Sequence, residues 1–137
     1  MKLLEKDVSK QVKDFLKARG WRPVRTQFAF SPGSFATGEP GMPDWLFLRY
    51  EAPGRGLILW VEVKGPNDQR KCRCQPGDRK PCKVCRQRLW HERERGLGAS
   101  VCVVEDIELF SAAYERSYGH LHCGEEAKGQ LAIACDP

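Results

Sequence analysis

Residues 57–65 of the 137-residue chain read LILWVEVKG, an apolar strand that ends in two opposite charges. Strand alternation puts Ile58, Trp60, Glu62 and Lys64 on one face and the intervening apolar residues on the other. Burying a carboxylate or an ammonium is costly unless the charge is paired or binds a metal. The stretch therefore predicts a buried central strand whose end carries either a simple Glu62/Lys64 ion pair or a functional site.

A second apolar run, WLFLRY at residues 45–50, precedes this strand and is separated from it by EAPGRG. The pattern predicts an antiparallel hairpin of two buried strands with a six-residue connection. A symmetric connection would pair residue 44 with residue 63 and send the Asp44 side chain to the wrong face. An offset of one residue, or a β-bulge, would set Asp44 opposite Glu62 or Lys64, and a shared site requires that offset.

Helices and further extended segments complete the predicted fold. They are a helix from Leu4 that Gly20 ends, an extended segment at 21–30, a long loop at 31–43, a helix at 84–95, a strand at 100–105 and a helix at 106–116 that Asp106 caps. This order indicates an α/β fold in one domain, residues 1–137, with a mixed β-sheet flanked by helices. The tail at 117–137 is weakly patterned.

Two polar residues lie on predicted helices where they could reach the charged strand end. Glu5 falls inside the apolar stripe of the first helix, between the directions of Val12 and Leu16, so we expect it to point toward the core. The alternative is a first-turn acid that the helix dipole favours. Gln87 opens the helix at 84–95, where an amide could reach the same strand end.

The cysteines favour a metal site over disulfides. The chain has seven, and four of them lie within residues 72–85 as C-x-C…C-x-x-C. An odd, clustered set is typical of metal ligation in a reducing compartment, and four thiolates in two close pairs suit a tetrahedral structural zinc ion. The ligands would be Cys72, Cys74, Cys82 and Cys85, and the alternative is free surface thiols.

Other metal-ligating side chains give weaker signals. A second metal site in the tail would use His120, His122, Cys123 and Cys135. Cys102 lies inside an apolar strand and is predicted to be a core residue. His91 lies in a predicted helix rich in Arg and Glu and is predicted to face solvent.

Charge is distributed unevenly along the chain. Residues 69–95 carry ten Lys/Arg against three acids, whereas residues 96–137 carry two against seven. A concentrated cationic stretch favours a polyanionic partner, most simply a nucleic-acid backbone, although a solvated basic loop is the plain alternative.

The longest apolar run, residues 57–61, is far shorter than a membrane span of about 20 residues, and MKLLEKDVSK lacks the apolar length of a signal peptide. We expect no membrane association.

Pro43-Asp44 followed by Glu62-Val63-Lys64 resembles the PD-(D/E)XK nuclease superfamily, and the chain is more narrowly similar to the VRR-NUC family. The resemblance spans about residues 4–114 and leaves the tail uncovered. It rests on Glu5 and Arg19-Gly20-Trp21, Gly41-Met42-Pro43-Asp44, Val61-Glu62-Val63-Lys64-Gly65, Gln87-Arg88-Leu89-Trp90 and Gly96.

The resemblance implies a restriction-endonuclease-like core and a catalytic site. Asp44, Glu62 and the Val63 carbonyl would bind Mg²⁺ or Mn²⁺, and Lys64 would orient or deprotonate the attacking water. Glu5 would support a second metal or a metal-bound water, and Gln87 would hold Lys64 or the site in place. Hard oxygen ligands suit these cations.

The resemblance also implies a substrate. Small free-standing members resemble archaeal-type Holliday junction resolvases, so we expect a structure-selective, divalent-metal-dependent DNA endonuclease acting at four-way junctions. A four-way junction has approximate two-fold symmetry, which predicts a homodimer. The expected location is a reducing cytoplasm in a prokaryotic or phage-like context. The alternatives are a flap or restriction-like nuclease, or a non-catalytic, zinc-stabilised nucleic-acid-binding module.

The chain departs from the family between Lys64 and Gln87. Residues 66–86, called the Cys-rich segment below, are a basic insertion that holds the predicted zinc ligands. Its predicted role is to present cations to DNA on a metal-stiffened scaffold. The predicted DNA-binding residues are Arg70, Lys71, Arg73, Arg79, Lys80, Lys83 and Arg86.

Overall fold

Three helices and four strands form the part of the chain that the computed structural model describes, residues 4–26, 39–65 and 71–121. The helices are α1 (Glu5–Lys17), α2 (Lys83–Gly96) and α3 (Ile107–Tyr118), and the strands are β1 (Arg22–Arg25), β2 (Trp45–Ala52), β3 (Arg55–Val63) and β4 (Ser100–Val104). Each predicted element is present. The extended segment predicted at 21–30 is a strand only at 22–25. Its residues 27–30 and residues 31–38 of the predicted loop lie outside the described residues.

The strands form one sheet in the order β1-β2-β3-β4. β1, β2 and β3 pair antiparallel, and β3 pairs with β4 in parallel. Pro23 lies in the edge strand β1, where a missing backbone donor is tolerated. The predicted mixed sheet flanked by helices is confirmed.

The main core lies between the sheet and the helices α1 and α3. The buried residues of α1 that share one face, Val8, Val12 and Leu16, pack with Leu59, Val61, Val63, Phe47, Val104, Phe110 and Tyr114. Trp21 donates its Nε1–H to Tyr114 Oη at 2.9 Å, which ties the chain leaving α1 to α3. The apolar side of the LILWVEVKG strand therefore faces this core, as predicted.

The helix α2 covers the opposite face of the sheet. Its Trp90 ring packs edge-on against Trp60, with ring centroids 5.0 Å apart. His91 is 6 % exposed, so the prediction that it faces solvent was wrong. The helical period puts His91 on the same side as Gln87 and Trp90, and that periodicity outweighs its charged sequence neighbours.

The hairpin is tighter than the sequence pattern predicted. β2 and β3 are joined by Pro53 and Gly54 alone, so the six-residue connection was wrong. A register irregularity between Tyr50 and Ala52 makes Glu51 the extra residue of a bulge. The exposed fractions of Tyr50 (47 %) and Ile58 (52 %) show that the two strands are not buried near the turn.

The bulge sets the register that the predicted site required. Trp45 pairs with Val61, so Asp44, one residue earlier, is level with Glu62. The offset of one residue is therefore confirmed, and it brings the start of β2 and the end of β3 together on the face that α2 covers. In the part of the chain that the structure describes, no helix has the length and apolar character needed to cross a bilayer.

Candidate active site

Glu62 is the centre of a polar cluster at the end of β3. The residue is 2 % exposed. Its Oε1 lies 2.9 Å from Lys64 Nζ and accepts a hydrogen bond from Gln87 Nε2 at 3.1 Å, while its Oε2 accepts from the Asp44 backbone N–H at 3.3 Å. Four of the predicted catalytic residues thus meet at one place, although they come from three separate parts of the chain.

The electrostatic balance at Glu62 leaves the ionised form short of compensation. Burial raises the pKa of Glu62 above its ordinary value, and the nearby charge of Asp44 raises it further. The ammonium of Lys64 and the backbone N–H of Asp44 act in the opposite direction but do not cancel the rise. An additional cation beside the two carboxylates would supply the missing stabilisation, so their chemistry fits a divalent metal.

Lys64 extends β3 by one residue. Its backbone N–H donates to Val104 O at 2.9 Å, so the parallel pairing with β4 continues past Val63. The Lys64 side chain is 11 % exposed and is directed to Glu62. Val63, whose carbonyl is a predicted metal ligand, is 3 % exposed and lies between the two charged residues.

The chain segment before Asp44 is pressed against the start of α2. Gly41 has φ +87°, and a Cβ built there would lie 2.3 Å from Arg86 O and 3.0 Å from Gln87 N. Only glycine allows this approach of two backbones. The contact brings Asp44, at the end of the segment, and Gln87 to the same side of the sheet.

Glu39 anchors the other end of this segment, and sequence reasoning missed it. Its carboxylate accepts hydrogen bonds from Trp90 Nε1 at 2.8 Å and from Arg93 at 2.7 Å. These two donors lower the pKa of Glu39. The structure shows that residues 39–44 are held by these contacts and by the backbone approach at Gly41, which the sequence alone does not reveal.

Glu5 lies at the rim of the cluster. It is exposed, so the prediction that it points toward the core was wrong. It is the first residue of α1 and precedes Val8, the first buried residue of that helix, so it lies beyond the buried part of the helix face. A Cβ built on Gly65 would lie 3.9 Å from Glu5 Cβ, which places Glu5 beside the residue that follows Lys64.

The four cysteines of the Cys-rich segment form a second cluster. Their Sγ atoms all lie within 4.8 Å of one another, and Cys72 Sγ is 3.4 Å from Cys85 Sγ and 3.9 Å from Cys82 Sγ. With Zn–S bonds of about 2.3 Å, a regular tetrahedron has S···S separations of about 3.8 Å. Cys72, Cys74, Cys82 and Cys85 could therefore hold a metal ion such as zinc.

Backbone donors support negative charge on these sulfurs. Cys82 Sγ accepts from Arg73 N at 3.4 Å, and Cys74 Sγ accepts from Cys82 N at 3.2 Å. The Arg73 N–H is the main reason that the pKa of Cys82 is lowered to about 6. Contact with the neighbouring thiols, Cys72 first, raises the pKa of Cys85 to about 12. Without a metal, few of the four thiols therefore carry a negative charge. A bound cation would favour the deprotonation of more of them.

The predicted DNA-binding residues are presented to solvent where the structure describes them. Six of them are exposed: Lys71, Arg73, Arg79, Lys80, Lys83 and Arg86. Arg70 lies outside the described residues.

Of the possible metal ligands in the tail, His120 is exposed, and His122, Cys123 and Cys135 lie outside the described residues. Cys102 is half-buried against the core, and burial raises its pKa.

A surface cavity lies beside the site, between the turn at residues 39–41 and the outer side of α2. Its volume is about 370 Å³, and it is lined by Pro40, Arg86, Leu89, Trp90 and Arg93. Its wall is therefore apolar with two guanidinium groups. Arg86 directly precedes Gln87, so the cavity adjoins the polar cluster.

Comparison of the chain with protein-family models, curated proteins and solved structures finds no match. The described residues combine two carboxylates, a lysine and an amide at the end of β3 with a four-cysteine cluster and an exposed basic segment.

Proposed function

We propose that this chain is a divalent-metal-dependent DNA endonuclease of VRR-NUC type, with a restriction-endonuclease-like core. The observation that carries the proposal is the convergence of Lys64, Gln87 and the Asp44 backbone N–H on the buried carboxylate of Glu62. Three sequence-distant segments are brought together there by a bulge and by a close backbone contact at Gly41. A purely structural ion pair needs only Lys64 and Glu62.

Each residue then has a role in phosphodiester hydrolysis. Asp44, Glu62 and the Val63 carbonyl would hold Mg²⁺ or Mn²⁺, which supplies Lewis acidity and a water of lowered pKa when bound. Lys64 orients the attacking water and stabilises charge that develops on the phosphate. Gln87 fixes the Glu62 carboxylate, and Glu5 supports a second metal or a metal-bound water from the rim.

The substrate proposed is DNA, most specifically a four-way junction cleaved by a homodimer. The cationic Cys-rich segment supports a polyanionic partner, because its described basic side chains are exposed. Phosphate contacts alone do not select a junction. A two-fold dimer with two active sites would match the symmetry of a junction, and a flap or restriction-like nuclease is the alternative within the same chemistry.

The four-cysteine cluster is proposed to hold one structural zinc ion, in a reducing cytoplasm that keeps the thiols free. Protein purified without chelator should contain about one zinc per chain by elemental analysis. Cys82→Ser/Cys85→Ser should lose it. Metal-free wild-type protein with four freely reactive thiols would overturn the assignment.

The test of the nuclease proposal is a panel of labelled junction, flap, duplex and single-stranded DNA with and without Mg²⁺. Wild-type protein should cleave only with the metal. Lys64→Ala and Asp44→Asn should reduce cleavage by at least 100-fold, about 3 kcal/mol of transition-state stabilisation, with little change in DNA affinity. Arg55→Ala, a change of exposed charge at the hairpin turn, is the control and should cleave normally.

One observation favours a non-catalytic nucleic-acid-binding module as the second candidate. Lys64 already pairs with Glu62 Oε1 and Gln87 donates a hydrogen bond to the same atom, as they would in a structural pair. On that hypothesis wild-type protein binds DNA but shows no cleavage with Mg²⁺ or Mn²⁺ on any substrate of the panel. Metal-dependent cleavage that disappears in Lys64→Ala excludes it.

A further inference from the structure

The first turn of α2 lacks the residues that normally stabilise a helix start. Its N-cap is Cys82, which makes no side-chain capping hydrogen bond, and its first turn contains no acid. Lys83 and Arg86 instead add positive charge where the helix dipole is already positive. This turn therefore needs stabilisation from outside the helix.

The remainder of α2 has such stabilisation from the body of the protein. Trp90 packs on Trp60 and donates to Glu39, and Arg93 pairs with the same carboxylate. Arg95 donates to Val101 O at 2.7 Å. The helix from Trp90 onward is thus fixed by side chains to the sheet and to the turn at residue 39. Its first turn meets that segment through the backbone contact of Arg86 with Gly41 and meets the cysteine cluster through Cys85.

The four-cysteine cluster lies at that first turn. Cys82 is its N-cap, and Cys85, which is 8 % exposed, lies within it. Their partners come from the preceding segment, with Cys72 Sγ at 3.4 Å and Cys74 Sγ at 3.8 Å from Cys85 Sγ. Four thiolates and one Zn²⁺ carry two net negative charges, which the positive end of the helix dipole favours.

Gln87 connects this turn to the carboxylate site. It follows Cys85 by two residues, is 8 % exposed, and donates its amide hydrogen bond to Glu62 Oε1 at 3.1 Å. We infer that zinc bound by the four cysteines fixes the first turn of α2 and thereby holds Gln87 against Glu62. The zinc ion is then a remote positioning element for the carboxylate metal site, and Gln87 is the positioning residue through which it acts. The link to catalysis rests on the proposed function.

The coupling has a defined size and direction. Loss of a residue that orients a metal ligand typically weakens metal binding by about 10–100-fold. Removal of zinc should therefore weaken Mn²⁺ binding at Asp44 and Glu62 by a factor in this range, although the two sites share no ligand. By linkage, Mn²⁺ at the carboxylates should tighten zinc binding by the same factor.

The first test needs neither cleavage nor the second metal. Residue-resolved amide hydrogen exchange is measured on the full chain, loaded with zinc and after zinc removal by a chelator. Protection should fall at residues 85–88 and persist at residues 91–96. Equal protection in both forms would overturn the inference, and so would loss of protection along the whole helix, because the cluster would then support α2 as a unit.

The second test is a thermodynamic cycle on Mn²⁺ affinity. Mn²⁺ is the probe because carboxylate oxygens suit it and thiolates suit it poorly. Wild type, Gln87→Ala and the control Leu89→Ala, an exposed residue of the same helix, are each titrated with and without zinc. Zinc removal should weaken Mn²⁺ binding in wild type and in Leu89→Ala but cause no further loss in Gln87→Ala.

The outcomes separate this inference from the proposed function. An equal zinc effect in Gln87→Ala and wild type would show that zinc acts by another route and would overturn the inference. If none of the three proteins binds Mn²⁺, the proposal of a metal site at the carboxylates is contradicted. The hydrogen-exchange result still decides whether zinc fixes the first turn of α2.

Discussion

Glu62 differs from an ordinary buried acid because its surroundings do not fully compensate its charge. Lys64, Gln87 and the Asp44 backbone all contact the carboxylate, yet burial and the Asp44 charge raise its pKa. Perturbed carboxylates with specific charged neighbours concentrate at functional sites. Glu62 is therefore the residue at which the chemistry of this chain can be tested most directly.

The raised pKa gives the metal-free protein a defined pH dependence. An acid whose folded-state pKa exceeds its unfolded value contributes its full stability below the unfolded value, here about 4.5. That contribution is lost as pH rises through the folded-state pKa. Wild type should thus lose stability relative to Glu62→Gln as pH rises above about 4.5, as measured by Tm. Parallel Tm curves for the two proteins would contradict the pKa direction.

The same pair of proteins tests metal binding. A ligand at 100 times its Kd stabilises the folded state by about 2.7 kcal/mol. Mg²⁺ or Mn²⁺ at that excess should raise the Tm of wild type at neutral pH and leave the Tm of Glu62→Gln nearly unchanged. An equal rise in both proteins would place the metal somewhere else.

The sequence identified the charged residues of the site but not all of their surroundings. Glu62 and Lys64 stood out because charges at the end of an apolar strand need compensation. Glu5 was misplaced because a helical wheel assigns direction only, whereas burial also requires an element opposite that turn. Glu39 gave no signal, since its partners Trp90 and Arg93 are about 50 residues away in the sequence.

The register of the hairpin between β2 and β3 decides whether Asp44 and Glu62 meet. The sequence showed that Asp44 and Glu62 could meet only with an offset of one residue, but it did not show where the offset would arise. EAPGRG contains two glycines and a proline, so all six residues resembled a turn. The strands in fact extend to Ala52 and Arg55, and the bulge at Glu51 supplies the offset. Bulge position depends on cross-strand packing, which a local pattern does not contain.

The contact between Gly41 and α2 gives a prediction with a matched control. Gly41 and Gly54 both have positive φ, +87° and +76°, so alanine at either position costs about 1–2 kcal/mol of backbone strain. A Cβ at residue 54 meets nothing within 4 Å, whereas one at residue 41 would overlap Arg86 O. Gly41→Ala should therefore lower the free energy of unfolding in urea by clearly more than Gly54→Ala.

Metal-dependent cleavage should likewise be impaired more by Gly41→Ala than by Gly54→Ala. The overlap would push residues 39–44 away from α2 and move Asp44 relative to Glu62 and Gln87. Gly41→Ala should reduce metal-dependent cleavage by at least 10-fold, while Gly54→Ala should cleave at the wild-type rate. Equal losses of stability and activity in the two variants would show that the backbone contact does not position Asp44.

The basic surface and the candidate site are close together. Of the ten Lys/Arg of residues 69–95, Lys83 and Arg86 lie in the first turn of α2 and Arg88, Arg93 and Arg95 lie further along it, while the acid-rich residues 96–137 follow in the sequence. Arg86 is exposed while its neighbour Gln87 is buried against Glu62, so the basic surface begins at the edge of the candidate active site. A phosphate backbone attracted to the Cys-rich segment would therefore pass beside the carboxylates.

The final prediction concerns how this basic surface contributes to substrate choice. Lys71, Arg73 and Lys80 are exposed members of the Cys-rich segment, and each phosphate contact removed should reduce the log–log salt slope of DNA binding by about 0.9. Changing all three to Ala should flatten the slope by up to about 2.7 if each makes one contact. Because phosphate contacts carry no base or branch information, junction and duplex affinity should fall by similar factors.

A second triple variant is the control for the loss of positive charge itself. Lys17, Arg55 and Arg116 are exposed on α1, at the hairpin turn and on α3, outside the Cys-rich segment. Changing these three to Ala removes the same charge and should leave the salt slope close to that of wild type. Equal slopes in the two variants would mean that net charge alone attracts DNA. Loss of junction binding only in the Lys71/Arg73/Lys80 variant, with duplex affinity and slope unchanged, would instead make the Cys-rich segment the element that reads DNA structure, and junction preference would not need to come from a dimer.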